Sequence, residues 1–432
     1  MTLREEVTEL LQGLLRLNTV NPPGNETRAA ELLRDYLSAS GLSCELYARV
    51  PERANLVARL RGGDGPSLAY LCHTDTVRAD AEEWKRDPWS GDLVDGEVWG
   101  RGALDMKDQV AASAVAFASL AREGFRPAGD LLFVATADEE VGAGFGLEWL
   151  AREHPEAVRV DYALNEGGGE RVVLGGKAFY ICGAAEKMSA PFALRFHGRS
   201  GHASAPAIAD NALVTAAKAI SALVGVAPLA VLIPEVSRFL ELVLGEAPVA
   251  GEALERARRV DPVAAELVEP LLSFTLSPTM IEASKQRNVI PAVCEVGVDC
   301  RVLPGGGPGD VEPLVREALA AVGIGHDAYE FRTLESIGGT RSPLDTPLWH
   351  AIEGFVQEIE PEARVAPLCN SGFTDSHFLR EAFGTVAYGF FPMRTMDVDL
   401  AARLMHSADE RVPVDDVELG VQGLRFVARA LG

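Results

Sequence analysis

Leu131-Leu132-Phe133-Val134-Ala135-Thr136-Ala137-Asp138-Glu139-Glu140-Val141-Gly142 is the stretch on which the reading of the chain turns. It opens as a short apolar run of the kind that a fully buried strand shows. It closes on three consecutive carboxylates and a glycine. Adjacent like charges repel and cannot simply enter a core, so a solvated turn is their ordinary fate. Other strand-like segments end in the same manner, and that changes the reading. Leu68–Cys72 runs into His73-Thr74-Asp75, and Val160–Leu164 runs into Asn165-Glu166-Gly167. Ligands of open α/β sheets bind outside the carboxyl ends of the strands. Several strands ending in His, Asp or Glu therefore point to a metal cluster along one sheet edge.

The rest of the chain fits an α/β frame. Apolar residues recur at helical spacing over 3–17, and Asn21-Pro22-Pro23-Gly24-Asn25 breaks the chain before a second helix that stops at Gly41. A helix is expected over 107–122, directly after Asp105, whose plain structural role would be an N-cap. Strand and helix alternate to about residue 186, the rhythm of a mostly parallel sheet with helices on both faces. From 187 to 334 it changes to alternating strands with helices at 210–224 and 310–322 and an Ala/Val/Glu/Leu-rich, helical 227–270. Residues 1–186 and 335–432 are accordingly expected to form the principal domain, with 187–334 inserted as a smaller α+β unit. Asp415 or Asp416 is expected to cap the closing helix.

With 432 residues, 47% of them hydrophobic and 24% charged, the composition is that of a two-domain globular protein. A formal charge of −23 argues against nucleic acid and anionic membrane surfaces as partners. Six scattered cysteines show no metal-ligand spacing and suit a reducing, cytoplasmic setting. The first residues lack a signal-peptide pattern, and no run of 18 apolar residues is present.

Two neighbouring divalent ions need three to four ligands each and a bridging carboxylate. His73, Asp105, Glu140, Glu166 and His406 make a complete set. Asp75, two residues after His73, is placed to orient its imidazole. Glu139 is free to act as general base beside a ligating Glu140.

These residues stand in motifs that resemble the zinc metallohydrolase family of aminoacylase, acetylornithine deacetylase, succinyl-diaminopimelate desuccinylase and carboxypeptidase G. The motifs are His73-x-Asp75, Gly102-x-x-Asp105-Met106-Lys107, Asp138-Glu139-Glu140, Asn165-Glu166-Gly167, Gly201-His202-Ala203-Ser204 and His406 ahead of Asp409-Glu410. The resemblance spans nearly the whole chain, from Asn21-Pro22-Pro23-Gly24 to His406. It implies a zinc exopeptidase-like catalytic domain and an inserted lid and dimerisation domain. One zinc would be held by His73, Asp105 and Glu166, the other by His406, Asp105 and Glu140, with Asp105 bridging. A cis peptide is implied at Asp105–Met106. Cobalt or manganese can replace zinc in such sites. Glu139 would be the base and Asp75 the carboxylate that orients His73.

In the insert, Arg287-Asn288-Val289-Ile290-Pro291 and Asp299-Cys300-Arg301 resemble the lid's substrate-binding strands, which makes Arg287 and Asn288 carboxylate contacts. Ser371-Gly372-Phe373-Thr374-Asp375 resembles the family's Gly-Gly-Thr-Asp loop, with Ser for the first Gly and Phe inserted; it implies Thr374 as a substrate contact. His202 is expected to donate to the oxyanion, reaching the neighbouring subunit's site in a homodimer. The expected activity is two-metal hydrolysis of an amide in an N-acyl amino acid or short peptide. The competing readings are a non-catalytic relative serving as a binding module, and a phosphate loop at Gly167-Gly168-Gly169 or Gly305-Gly306-Gly307. Those loops match no dinucleotide or P-loop fingerprint.

Overall fold

The computed structural model describes residues 1–432, which divide into two compact units. The first comprises 1–184, 342–368 and 374–432, and the second 185–341 with 369–373. The second unit extends beyond 187–334 because Ile337–Gly338 pairs with Met188–Ser189, and because Lys187 N–H donates to Asn370 O at 2.9 Å.

The first unit is built on a nine-stranded sheet that is mixed rather than mostly parallel. Its centre is parallel: Leu131–Thr136, Leu68–His73, Tyr162–Asn165 and Val386–Gly389 lie side by side. Antiparallel strands flank it. Ala54–Leu60 and Cys44–Ala48 extend one side, and Lys177–Glu186 meets Val386–Gly389 on the other. The parallel centre is what concerns the site, because His73, Thr136 and Asn165 all end at one edge.

Side chains alternate across a strand, so these continuous apolar runs need cover on both faces. Tyr70, Cys72, Phe133, Ala135, Leu164 and Tyr388 face a core shared with the helices Leu3–Leu15, Lys107–Arg122, Pro347–Ile359 and Val414–Ala430. The intervening residues Leu71, Leu132, Val134 and Ala163 are buried on the opposite face, the side of Leu147–Glu153 and Ser376–Phe383. Lys107–Arg122 is buried from Lys107 to Leu120, as a helix caught between a sheet and two other helices must be. The fully buried Tyr70 satisfies its hydroxyl by donating to Leu424 O at 2.8 Å.

The closing helix begins at Val414, and neither expected aspartate caps it. Asp415 pairs with Arg4 at 2.5 Å. Asp416 is buried and accepts from Arg394 and Thr395 N–H at 2.8 Å and Met396 N–H at 2.7 Å. Three backbone donors from a loop outcompete one helix end.

The second unit is an antiparallel sheet in which Val293–Val302 pairs with Phe192–His197, Thr275–Glu282 and Met188–Ser189. Cys294, Val296, Val298, Cys300 and Val302 are buried at period two, packing with Ala212–Val224 and Pro308–Ala321. The 227–270 stretch folds as three short helices, Pro234–Leu244, Ala250–Val260 and Pro262–Val268. It breaks at Gly245, which takes φ +83°, and at Asp261, whose side chain caps the third helix. No helix of either unit is long and apolar enough to cross a membrane.

Candidate metal centre

The sheet edge gathers six titratable side chains from five parts of the first unit. His73 closes its strand and is buried, with Nε2 3.1 Å from Asp105 Oδ1, 3.7 Å from Glu166 Oε1 and 4.0 Å from Glu139 Oε2. His406 Nε2 stands 2.8 Å from the other Asp105 oxygen, Oδ2, and 3.6 Å from Glu140 Oε2. One carboxylate thus faces two imidazoles, each of which has a glutamate beside it. Asp105 does not cap the following helix: Met106 holds that position, and the Asp105–Met106 peptide is cis.

The donor set fits two divalent ions. Ligand atoms about 2.0–2.2 Å from a tetrahedral centre lie about 3.2–3.6 Å from one another, the scale of the separations above. The ligand atoms of His73, Glu139 and Glu166, and those of His73, Asp105 and Glu140, lie within 4.8 Å of one another.

Electrostatics points the same way. Burial, reinforced by Glu166, pushes Glu139 well above the ordinary carboxylate range. Burial and then Asp105 raise Glu140 to about 8, and burial raises Glu166. Burial would also raise Asp105, but its bonds to His406 and His73 hold it low. Burial would lower His73, yet Glu166, Asp105 and Asp75 carry it well above the usual histidine value. So many crowded carboxylates are a standing demand for cations.

The surrounding residues hold this arrangement. Asp75 is fully buried; its Oδ1 accepts from Glu139 N–H and its Oδ2 from Glu140 N–H, both at 3.1 Å. The same Oδ1 is 3.4 Å from His73 Nδ1, which also contacts Asp75 O at 3.1 Å. Asp138 sits at φ +68°, a conformation that costs most residues energy but that Asp tolerates. Arg53 and Asn21 each donate to its Oδ1 at 2.8 Å, and Phe145 N–H donates to its Oδ2 at 3.1 Å. Arg53 also forks onto the buried Glu26, with two bonds of 2.6 Å.

The Asp105 loop hangs on Glu410. This buried carboxylate accepts from Leu104 N–H at 2.7 Å, Gly102 N–H at 3.1 Å and Asp105 N–H at 3.2 Å, and from the Arg101 guanidinium. No local motif assigns a role to Glu410, although it stands beside Asp409, or to Arg53. Asn21 stands in the chain break and at the start of the family resemblance, neither of which assigns its side chain a role. The single available signal for Glu410 is its place in the Asp409-Glu410 pair that follows His406.

The remaining candidate residues divide between the units. Thr374 is in the first: its Oγ1 accepts from Asn165 Nδ2 at 3.3 Å and Ser376 N–H at 3.2 Å. His202, Arg287 and Asn288 are in the second. There Gly201–His202 pairs with Val289–Ile290, and Ala203 N–H donates to Asn288 O at 3.0 Å, so the three share one exposed loop cluster. His202 Nδ1 accepts from Ser204 N–H at 3.2 Å.

A carboxylate facing two imidazoles, with glutamates beside each, at the parallel edge of a mixed sheet, is a donor set of the kind that metallohydrolases use. Residues 69–430 match the model of Peptidase family M20/M25/M40, and the chain belongs to that family. The chain is 30% identical over 420 residues to a succinyl-diaminopimelate desuccinylase of Cereibacter sphaeroides, covering 95% of this chain and 94% of that one. The desuccinylase of Methylobacterium nodulans is 28% identical over 422 residues, covering 95% and 92%. Among solved structures, an M20 metallo-carboxypeptidase from Sulfolobus solfataricus superposes with a TM-score of 0.74 at 17% identity, covering 99% of each chain. A dinuclear metal binding peptidase of the family from Bacillus subtilis gives 0.62 at 14% identity, over 99% of this chain and 97% of that one. The protein is a metal-dependent amidohydrolase.

Proposed function

We propose that the protein hydrolyses the amide bond of an N-acyl amino acid or short peptide with two divalent ions, zinc foremost. His73, Asp105 and Glu166 would hold one ion, and His406, Asp105 and Glu140 the other. The observation that carries this reading is the division of Asp105, one oxygen 3.1 Å from His73 and the other 2.8 Å from His406. Bound there, the ions supply Lewis acidity to water and to the scissile carbonyl.

The chain's own groups perform the proton transfers. Glu139 takes a proton from the attacking water, whose oxygen bonds to the carbonyl carbon. It returns that proton to the nitrogen as the C–N bond breaks, giving a carboxylic acid and an amine. Burial beside Glu166 raises Glu139's affinity for a proton, which suits a base that must hold one between the two steps. Asp75 keeps the His73 ring and the Glu139–Glu140 backbone in place. Arg287 and Asn288 bind the substrate carboxylate, and Thr374 lines the site. His202 donates to the oxyanion from the partner subunit of a homodimer. A cytoplasmic setting agrees with six free cysteines, five of them buried.

Glu139→Gln and Glu140→Gln test the assignment together. Glu139→Gln should lower kcat by about a thousandfold or more with metal content retained, since general base catalysis supplies about 10²–10⁴. Glu140→Gln should lower metal content itself. Turnover by Glu139→Gln within twofold of wild type on a panel of N-acyl amino acids would reject the mechanism.

A further inference from the structure

Asp375 stands directly before the helix Ser376–Phe383, yet its side chain does not cap that helix. The residue is buried, and its Oδ2 lies 2.7 Å from Thr136 Oγ1. The other oxygen, Oδ1, is buried with no hydrogen-bond partner in the chain. Other buried carboxylates of this unit are well supplied with donors. Asp75 accepts from Asn21 Nδ2 and from the Glu139 and Glu140 N–H groups. Asp416 accepts from three N–H groups, and Glu410 from three and a guanidinium. An ionised Asp375 would have one donor for two charged oxygens, and an unpaired buried charge is costly.

Counting protons leads to the same assignment. A hydroxyl has one hydrogen, and Thr136 Oγ1 also lies 3.2 Å from Cys72 O, which can only accept. If Asp375 Oδ2 carries a proton, it donates to Thr136, and Thr136 donates to Cys72. Both contacts are then made, and Oδ1 is left as a neutral carbonyl oxygen. Burial raises Asp375 to about 7, with Asp75 and Glu166 adding to the effect and Thr136 and His73 opposing it.

These contacts tie together three strand ends that carry candidate site residues. Thr136 is in register with His73 and lies three residues before Glu139. Cys72 immediately precedes His73. Asn165, just before Glu166, donates to Thr374 Oγ1 at 3.3 Å and Ser376 Oγ at 3.1 Å, the residues on either side of Asp375.

We infer that Asp375 is a neutral carboxylic acid that positions His73, Glu139 and Glu166 by donating from Oδ2 to Thr136. The inference rests on the amide-hydrolysis reading above, in which those three residues are ligand, base and ligand.

Infrared difference spectra of the zinc-loaded protein, wild type minus Asp375→Asn at neutral pH, test the protonation state. They should contain the carbonyl stretch of a protonated carboxyl group, and carboxylate bands in its place overturn the inference. Asparagine keeps the size, a donor and the absence of charge. Asp375→Asn should therefore hold kcat/KM and zinc affinity within threefold of wild type, with the pH profile of kcat/KM unmoved. Asp375→Leu and Thr136→Val break the donated bond, and each should lower kcat or zinc affinity by about 10–100-fold, the scale for supporting residues. The two changes together should cost no more than the larger alone, as members of one coupled contact do. Wild-type behaviour in Asp375→Leu, or a loss in Asp375→Asn as large as in Asp375→Leu, overturns the inference. Should Asp375→Leu fail to fold, the infrared band and the Asp375→Asn variant still decide. If wild type hydrolyses no amide, the proposed function fails, and the infrared band with zinc affinity across the same variants decides the role of Asp375.

Discussion

Asp75 and Glu139 are joined through the backbone: Asp75 Oδ1 accepts the Glu139 N–H at 3.1 Å while standing 3.4 Å from His73 Nδ1. One carboxylate oxygen therefore fixes both a candidate ligand and the candidate base. Asp75→Asn would turn an amide group toward N–H donors that need an acceptor. Residues in such supporting positions typically contribute about 10–100-fold in metal affinity or activity. The variant should lose both together, as read by chelator competition and kcat/KM. A loss of activity with unchanged metal affinity would assign Asp75 to the base alone.

Arg53 pairs with Glu26 and Asp138 in a largely buried region. Arg53→Met should leave a buried carboxylate pair uncompensated and cost about 3–5 kcal/mol, the scale for breaking a buried ion pair. Denaturant unfolding measures this. Activity should fall as well, because Asp138 would lose a partner that holds the Glu139–Glu140 turn.

Lys187 carries a pH signature in the second unit. Its Nζ donates to Pro270 O at 2.8 Å and Ser273 O at 2.9 Å, and burial pushes its ammonium from 10.5 down to about 8. Below pH 8 the group is charged in both folded and unfolded chains, and burying that charge is fully unfavourable. Between about 8 and 10.5 the folded chain is the less protonated, so rising pH favours folding. The stability of wild type relative to Lys187→Met should therefore improve across that window. A flat difference curve would place the ammonium in a wetter setting.

His202 offers a test of assembly. Mixing inactive His202→Ala with inactive Glu139→Gln should restore about a quarter of wild-type sites if subunits exchange freely and the histidine acts across a two-fold dimer. Verified exchange without recovered turnover would confine His202 to its own subunit. Wild-type rates in His202→Ala would remove it from the reaction.

The site was more legible in the sequence than the sheet around it. His73, Asp105, Glu140, Glu166 and His406 could be picked out because strand ends and short motifs are local patterns. The antiparallel strands Cys44–Ala48 and Lys177–Glu186 were not, since pairing direction depends on partners far along the chain. Asp416 was expected at a helix cap for the same reason: the loop at 394–396 that claims it lies about twenty residues away. Arg53 and Glu410 act only through residues remote in sequence, so no spacing announces them.

The bonds from Glu410 to the Asp105 loop span 305 to 309 positions of chain. During synthesis at about 5–20 residues per second, roughly 15–60 s separate the making of the two partners. Through that interval the Asp105 loop lacks its Glu410 acceptor, and His406, the second imidazole beside Asp105, is also still to be made. Truncation anywhere before residue 410 removes the acceptor of three loop N–H groups, however much of the sheet has formed. Assembly of the side-chain cluster thereby waits on a segment made more than 300 residues after the loop it holds.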